Sequence, residues 1–229
     1  EICACLVGSE MCIRDRRMFG LFIILPVFAV YARELPGGDS ETLVGITLGI
    51  YGLTQGLLQI PFGVASDRLG RKPVIIFGLI IFALGSFLAA SGANIWIVML
   101  GRMLQGAGAI SAAVTAFIAD SVRVQVLTKA MAMVGASIGL TFALSLLISP
   151  PLTKLWGVSG LFTLTGISAL IAVLVVKFVV PPAPQSAIDE KNEHRSWRKV
   201  VCDPQLVRLN IGIFVLHAVL TAIFVVIPT

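Results

Sequence analysis

Arg102 and Gln105 stand three residues apart inside an otherwise apolar run. A guanidinium there is costly, so it must face a cavity or a partner, and the i, i+3 spacing puts both side chains on one helix face. The plainer reading is an arginine tied to carbonyls of a neighbouring helix. A second row, Tyr51, Gln55 and Gln59, repeats every four residues as one polar stripe. It could line a path for a small molecule or simply satisfy adjacent helices. Charges otherwise gather at the ends of apolar runs, as Asp67, Arg68, Arg71 and Lys72 after one run and as Asp120 and Arg123 after another. A pairing of Asp120 with Arg71 or Arg68 would join these two ends into one charge network; a solvated helix end is the alternative. His217 lies alone in an apolar run, where a lone histidine is more often packed and hydrogen-bonded. None of this is covalent chemistry. No nucleophile stands with a base, no spacing suits a metal, and no acidic residue lies within the second to seventh apolar runs. The side chains can trade charge and hydrogen bonds, which argues against an enzyme and calls for no cofactor or metal.

The elements that position these residues follow from composition. Of 229 residues, 57% are hydrophobic and 13% charged, with a mean hydropathy of +0.98. A soluble domain carries about a quarter charged residues, so the surplus needs an apolar solvent. The apolar residues come in unbroken runs of about 20, which at 1.5 Å per residue match a hydrocarbon core of about 30 Å. They do not alternate, which excludes a membrane β-barrel. The fold class is all-α, a polytopic transmembrane helical bundle, with spans near 17–33, 43–65, 73–92, 95–119, 129–152, 159–180 and 207–228. Pro26 and Pro61 are expected to kink theirs. Gly45, Gly49, Gly52 and Gly56 beside the polar stripe read as helix-packing positions.

Orientation follows from the turns. Arg68, Arg71, Lys72, Arg123, Lys129, Lys177, Lys191, Arg195, Arg198, Lys199 and Arg208 fall on one side; Arg33 and Lys154 fall on the other, where Glu34, Asp39 and Glu41 make the first loop acidic. The basic side is cytoplasmic, so the N-terminus is expected inside. Tyr31, Trp96 and Trp156 then sit at the outer ends of spans, as an aromatic belt requires. The net charge of +5 reads as topology and not as a nucleic-acid surface. Cys3, Cys5, Cys12 and Cys202 imply no pairing or metal site. No cleavable signal peptide is recognised, because charges interrupt the run before Arg17.

Four segments result. Residues 1–16 are polar where the first helix should begin, and resemble a translated sequencing adapter, a doubtful non-native stretch. Residues 17–180 form a six-helix bundle. Residues 181–206 form a basic cytoplasmic linker opened by Pro181, Pro182 and Pro184, with 196–206 expected to lie flat on the membrane. Residues 207–229 form a lone seventh helix, as if a twelve-helix protein had been cut in two.

The run Gly63-Val-Ala-Ser-Asp67-Arg68-Leu-Gly70-Arg71-Lys72 occupies the turn between the second and third spans. Gly63 allows close helix approach, Gly70 supplies a turn that can need positive φ, and Asp67 can cap a neighbouring helix N-terminus. Pro73 opens the third span where its missing N–H costs nothing. This run resembles the G-x-x-x-D-R-x-G-R-[RK] signature of the major facilitator superfamily, in the turn where that family has it. Arg102-Met-Leu-Gln105-Gly106-Ala-Gly108 is similar to the family's R-x-x-Q-G-x-G motif. Residues 17–229 look closest to YajR-type bacterial members of its drug:proton antiporter group, in which an R-M-x-G run like Arg17-Met-Phe-Gly20 lies inside helix one.

The resemblance implies two six-helix bundles, each of 3+3 inverted repeats, that rock about a midplane site. It implies that the 63–72 motif, with Asp120 and Arg123, latches the halves together, its partner helix lying in the missing C-terminal half. It places Arg102 in the proton-coupling apparatus and points Arg17 and His217 into the central cavity. Partners would be the lipid bilayer, protons and a small-molecule substrate; the location would be the inner (plasma) membrane. Secondary active, proton-coupled efflux of small, largely apolar compounds is the first reading. A sugar or metabolite porter, or a non-transporting membrane protein, are the others. One departure weakens the antiporter reading: Ser149-Pro150-Pro151 stands where a Gly-Pro-rich G-P-x-x-G-G run would be expected in the fifth span.

Overall fold

The computed structural model describes residue 15 and residues 18–108, 110–122, 124–180 and 204–226. The ordered elements are helices throughout these residues: α1 (Leu25–Glu34), α2 (Glu41–Leu69), α3 (Arg71–Ala90), α4 (Ile95–Ala107), α5 (Ser111–Ser121), α6 (Val124–Phe178) and α7 (Pro204–Val226). By contacts the chain divides at Pro184, with α1 to α6 in one unit and α7 in the other. Arg17, Arg123 and most of the 181–206 linker lie outside the described residues, as does the side chain of His217.

Helix ends are set locally. Ser40 caps α2 by accepting from the Leu43 N–H at 3.4 Å, and Asn94 caps α4 by accepting from the Ile97 N–H at 3.0 Å. Each occupies one of the donors that a helix start leaves orphaned. α2 runs on through Pro61 as one helix. Pro26 does interrupt the first span. Met18–Phe22 is helical, the chain turns at Ile23 and Ile24, and α1 restarts with Pro26 in its first turn, where proline is tolerated.

Three spans are joined differently from the sequence expectation. The expected fourth span is two helices, α4 and α5, separated at Gly108 (φ −73°, ψ 49°), where the Ile110 N–H bonds back to the Gly108 carbonyl at 2.8 Å. The expected fifth and sixth spans form α6, 55 residues without a separating loop. At 1.5 Å per residue that is about 80 Å, far beyond a hydrocarbon core of about 30 Å. The reversal is made at Gly157 alone (φ 67°, ψ 176°), a conformation that an L side chain avoids.

The surface is apolar and the interior holds polar groups. Leu53, Leu57, Leu147, Leu155 and Phe178 are exposed, whereas Thr47, Ser86, Arg102, Gln105, Ser145 and Ser149 are buried. The interior is otherwise packed with apolar side chains such as Phe28, Phe82 and Phe117, so it is the apolar surface that suits lipid as the surrounding solvent. Trp96 and Trp156 also face outward. Small residues bring backbones together where the polar groups lie. A Cβ on Gly101 would meet the Ala89 N at 2.6 Å, and one on Gly106 would overlap the Tyr51 carbonyl. These contacts draw α4 against α3 and α2. The expected packing row behaves otherwise: at Gly45, Gly49, Gly52 and Gly56 a Cβ would meet nothing within 4 Å among the described residues. This row points away from its own bundle.

Candidate functional site

The interior site is built on α4 and completed by α2 and α3. Arg102 is fully buried and donates from Nη1 to Gln105 Oε1 at 3.0 Å. Gln105 Nε2 donates onward to Ser86 Oγ at 2.8 Å, and Ser86 donates to the Phe82 carbonyl at 2.8 Å. The Arg102 guanidinium carbon lies 4.9 Å from the centre of the Tyr51 ring, in the range of a cation–π contact. Among the described residues no carboxylate pairs with Arg102, and its Nε has no hydrogen-bond partner. The charge is therefore held by an aromatic face and an amide chain. A guanidinium does not release its proton at accessible pH. It can stabilise negative charge nearby or lower the proton affinity of a neighbouring acid.

The polar stripe on α2 is divided by the fold. Tyr51 is drawn to Arg102 and buried. Gln55 Nε2 reaches Ser111 Oγ on α5 at 3.5 Å, at the outer edge of hydrogen-bond range. Gln59 Oε1 is enclosed without a partner among the described residues. Ser86 was missed by the sequence reading, since nothing separates it from the other small residues of that span until Gln105 is seen to reach it.

The second site lies where α2 turns into α3. Gly70 makes the turn with φ 93°, and no side chain caps α3. The expected capping role of Asp67 is thus replaced by an ion pair with the Arg71 side chain. Arg71 also donates from Nε to Asp120 Oδ2 at 3.0 Å and from Nη1 to Ser66 Oγ at 2.7 Å. Of the two arginines the sequence offered to Asp120, the fold pairs it with Arg71, which is one-sixth exposed. Arg68 is exposed and makes no hydrogen bond or ion pair among the described residues. Lys72 donates to the carbonyls of Lys177 and Val180 at 3.0 and 2.7 Å. It thereby satisfies the end of α6, where a cation is favoured. A Cβ on Gly63 would meet Ala112 at an ordinary 3.8 Å, so nothing in this bundle needs that glycine for close packing. An apolar cleft lined by Phe62, Ala65, Leu69, Pro73, Val74 and Phe77 flanks the turn.

Similarity to known proteins follows the same lines. A family profile described as Major Facilitator Superfamily matches residues 17–229. The Inner membrane transport protein YajR of Escherichia coli K12 is 45% identical over 93% of this chain. This chain spans 47% of that relative's length. A Tetracycline resistance protein of class B from Escherichia coli is 35% identical over 53% of this chain and 31% of its own length. The fold matches PepTSo, a POT family transporter, with a TM-score of 0.66 at 16% identity, over 78% of this chain and 39% of that one. The family match covers nearly the whole chain, and the helical bundle with its apolar surface agrees with it: this chain belongs to the Major Facilitator Superfamily.

Proposed function

We propose that this chain supplies the N-terminal bundle and the first helix of the second bundle of a secondary active transporter, one that exports small, largely apolar compounds by alternating access coupled to protons. The observation that carries the reading is the buried Arg102–Gln105–Ser86 chain capped by Tyr51. A charge kept in a membrane interior is a functional feature by default. A protein that only needed helix packing would fill the site with apolar side chains. Likeness to a tetracycline resistance protein over half the chain favours export of a drug-like compound over uptake of sugars.

In this scheme Arg102 is the fixed positive charge of the proton-coupling apparatus. The group that gains and loses the proton is another residue, and His217 on α7 is the candidate in this chain. Gln55 and Gln59 border the substrate path, and Arg17 contributes from the first span. The 63–72 turn, with Asp120 and Arg123, acts as a conformational latch against the second bundle. The row of Gly45, Gly49, Gly52 and Gly56, half-buried at Gly45 and exposed at the other three, is available to that bundle. The basic turns face the cytoplasm of the inner membrane.

The test uses the full-length transporter in proteoliposomes with an imposed pH gradient. Export of a lipophilic cationic dye should follow the gradient, stop with a protonophore and fail in Arg102→Met. Transport that ignores the pH gradient, or that survives Arg102→Met, would refute the coupling. Uptake of sugars driven by the same gradient would favour the porter reading. Cysteine labelling at Arg68 from the cytoplasmic side alone would check orientation.

A further inference from the structure

The interruption in the first span releases backbone groups that a helix would pair. Pro26 has no N–H for the Phe22 carbonyl. The Val27 N–H bonds to the Ile24 carbonyl at 3.3 Å, which leaves the Ile23 carbonyl outside the helical pattern. Ile23 has no exposed surface, so water does not reach this carbonyl, and an unmade hydrogen bond at that depth is costly. The Ser149 hydroxyl donates to it. Ser149 is itself fully buried and lies in the first arm of α6, just before Pro150 and Pro151.

Four other hydroxyls of α6 turn back on their own helix, whereas Ser159, in the second arm, donates to the Ala90 carbonyl of α3. Ser145, Thr153, Thr163 and Thr165 each donate to the carbonyl four residues earlier, the usual arrangement within a helix. A local acceptor is also at hand for Ser149, because Pro150 leaves the carbonyl of Leu146, three residues earlier, without its helical donor. Ser149 bridges to the first span instead. The same interface is pinned next to the break, where the Phe22 and Phe142 rings meet edge to face at 5.0 Å.

We infer that Ser149 is a positioning residue: by holding the Ile23 carbonyl it fixes the break at Pro26, and so the direction in which segment 18–22 leaves α1. Segment 18–22 follows directly on Arg17. The inference rests on the proposed transport function only for its consequence, that the direction of this segment sets the cavity wall.

Its test reads geometry apart from transport. Spin labels at Met18 and Val30 in the full-length protein report the distance across the break. Ser149→Ala should shift or broaden that distance, and Ser149→Thr, which keeps the hydroxyl, should not. Pro26→Ala restores an N–H and lets the helix run through. In that background Ser149→Ala should change the distance no further. A wild-type distance in Ser149→Ala, or an equal shift with and without Pro26, overturns the inference. If Ser149→Ala fails to fold, recovery of folding in Pro26→Ala/Ser149→Ala supports it and failure of the double variant overturns it. A shifted distance in a protein that shows no pH-driven export would leave the positioning role standing and the transport reading refuted.

Discussion

Arg102 and Arg71 carry the same group in opposite settings. Arg102 is fully buried and is balanced by a ring face and an amide. Arg71, at a helix junction, is balanced by two carboxylates and a hydroxyl. Away from water, a charge without a counterion needs its partners fixed, because no solvent replaces one that leaves. At a junction near water, ion pairs can be exchanged at small cost, since solvent compensates for a broken one. The interior arrangement suits a permanent electrostatic reference. The junction arrangement suits contacts that form and break between conformations.

Gln105→Leu should break this contrast most severely. It removes the amide between Arg102 and Ser86, and should lower stability by about 3 kcal/mol, as expected when a buried charged donor loses its acceptor. Thermal unfolding in detergent reads this directly. A loss below about 1 kcal/mol would mean that Arg102 does not depend on the amide. Tyr51→Leu comes next, at about 2 kcal/mol for a desolvated cation–π contact. Tyr51→Phe, which keeps the ring face, separates that contribution from the hydroxyl's, and equal losses in both would assign the effect to the hydroxyl.

At the junction, Asp120→Asn should cost about 1 kcal/mol. Going from 0.1 to 1 M salt, which shortens the screening length from about 10 to about 3 Å, should erase most of that cost and leave the Gln105→Leu loss intact. Charge reversal at Asp120 that left transport by the full-length protein unchanged would remove the network from the mechanism. The smallest effect is expected at the Arg33–Glu41 pair, 3.2 Å apart with side chains 43% and 77% exposed. Glu41→Gln should shift stability by no more than a few tenths of a kcal/mol. A larger shift there would mean that exposure does not separate the two classes of arginine.

Much of the candidate site was legible before folding was considered. The Arg102–Gln105 pair could be read because a helix repeats every 3.6 residues, and Asp120 could be matched to the 68–72 turn because both end on the same side. What could not be read was partner choice among equals. Arg68 and Arg71 offer Asp120 the same chemistry; only the turn at Gly70 decides which guanidinium is presented to it. Tyr51 belonged to the glutamine stripe by spacing but was separated from it by the close approach of α4 at Gly106. Lys72 reads as a topological charge, yet it closes the end of α6 more than a hundred residues away. The glycine row of α2 fits helix packing by spacing, and which bundle it meets is not a property of spacing.

By itself the sequence determined the class of solvent, the helical fold class and the sites where a charge would be confined. These depend on composition and on contacts within a turn or two of helix. Tertiary structure alone decided which ring covers Arg102, which arginine meets Asp120 and which hydroxyl takes the Ile23 carbonyl. Each of those choices is made between chemically similar groups, so it is settled by which backbones approach closely enough for an unpaired polar group to be satisfied.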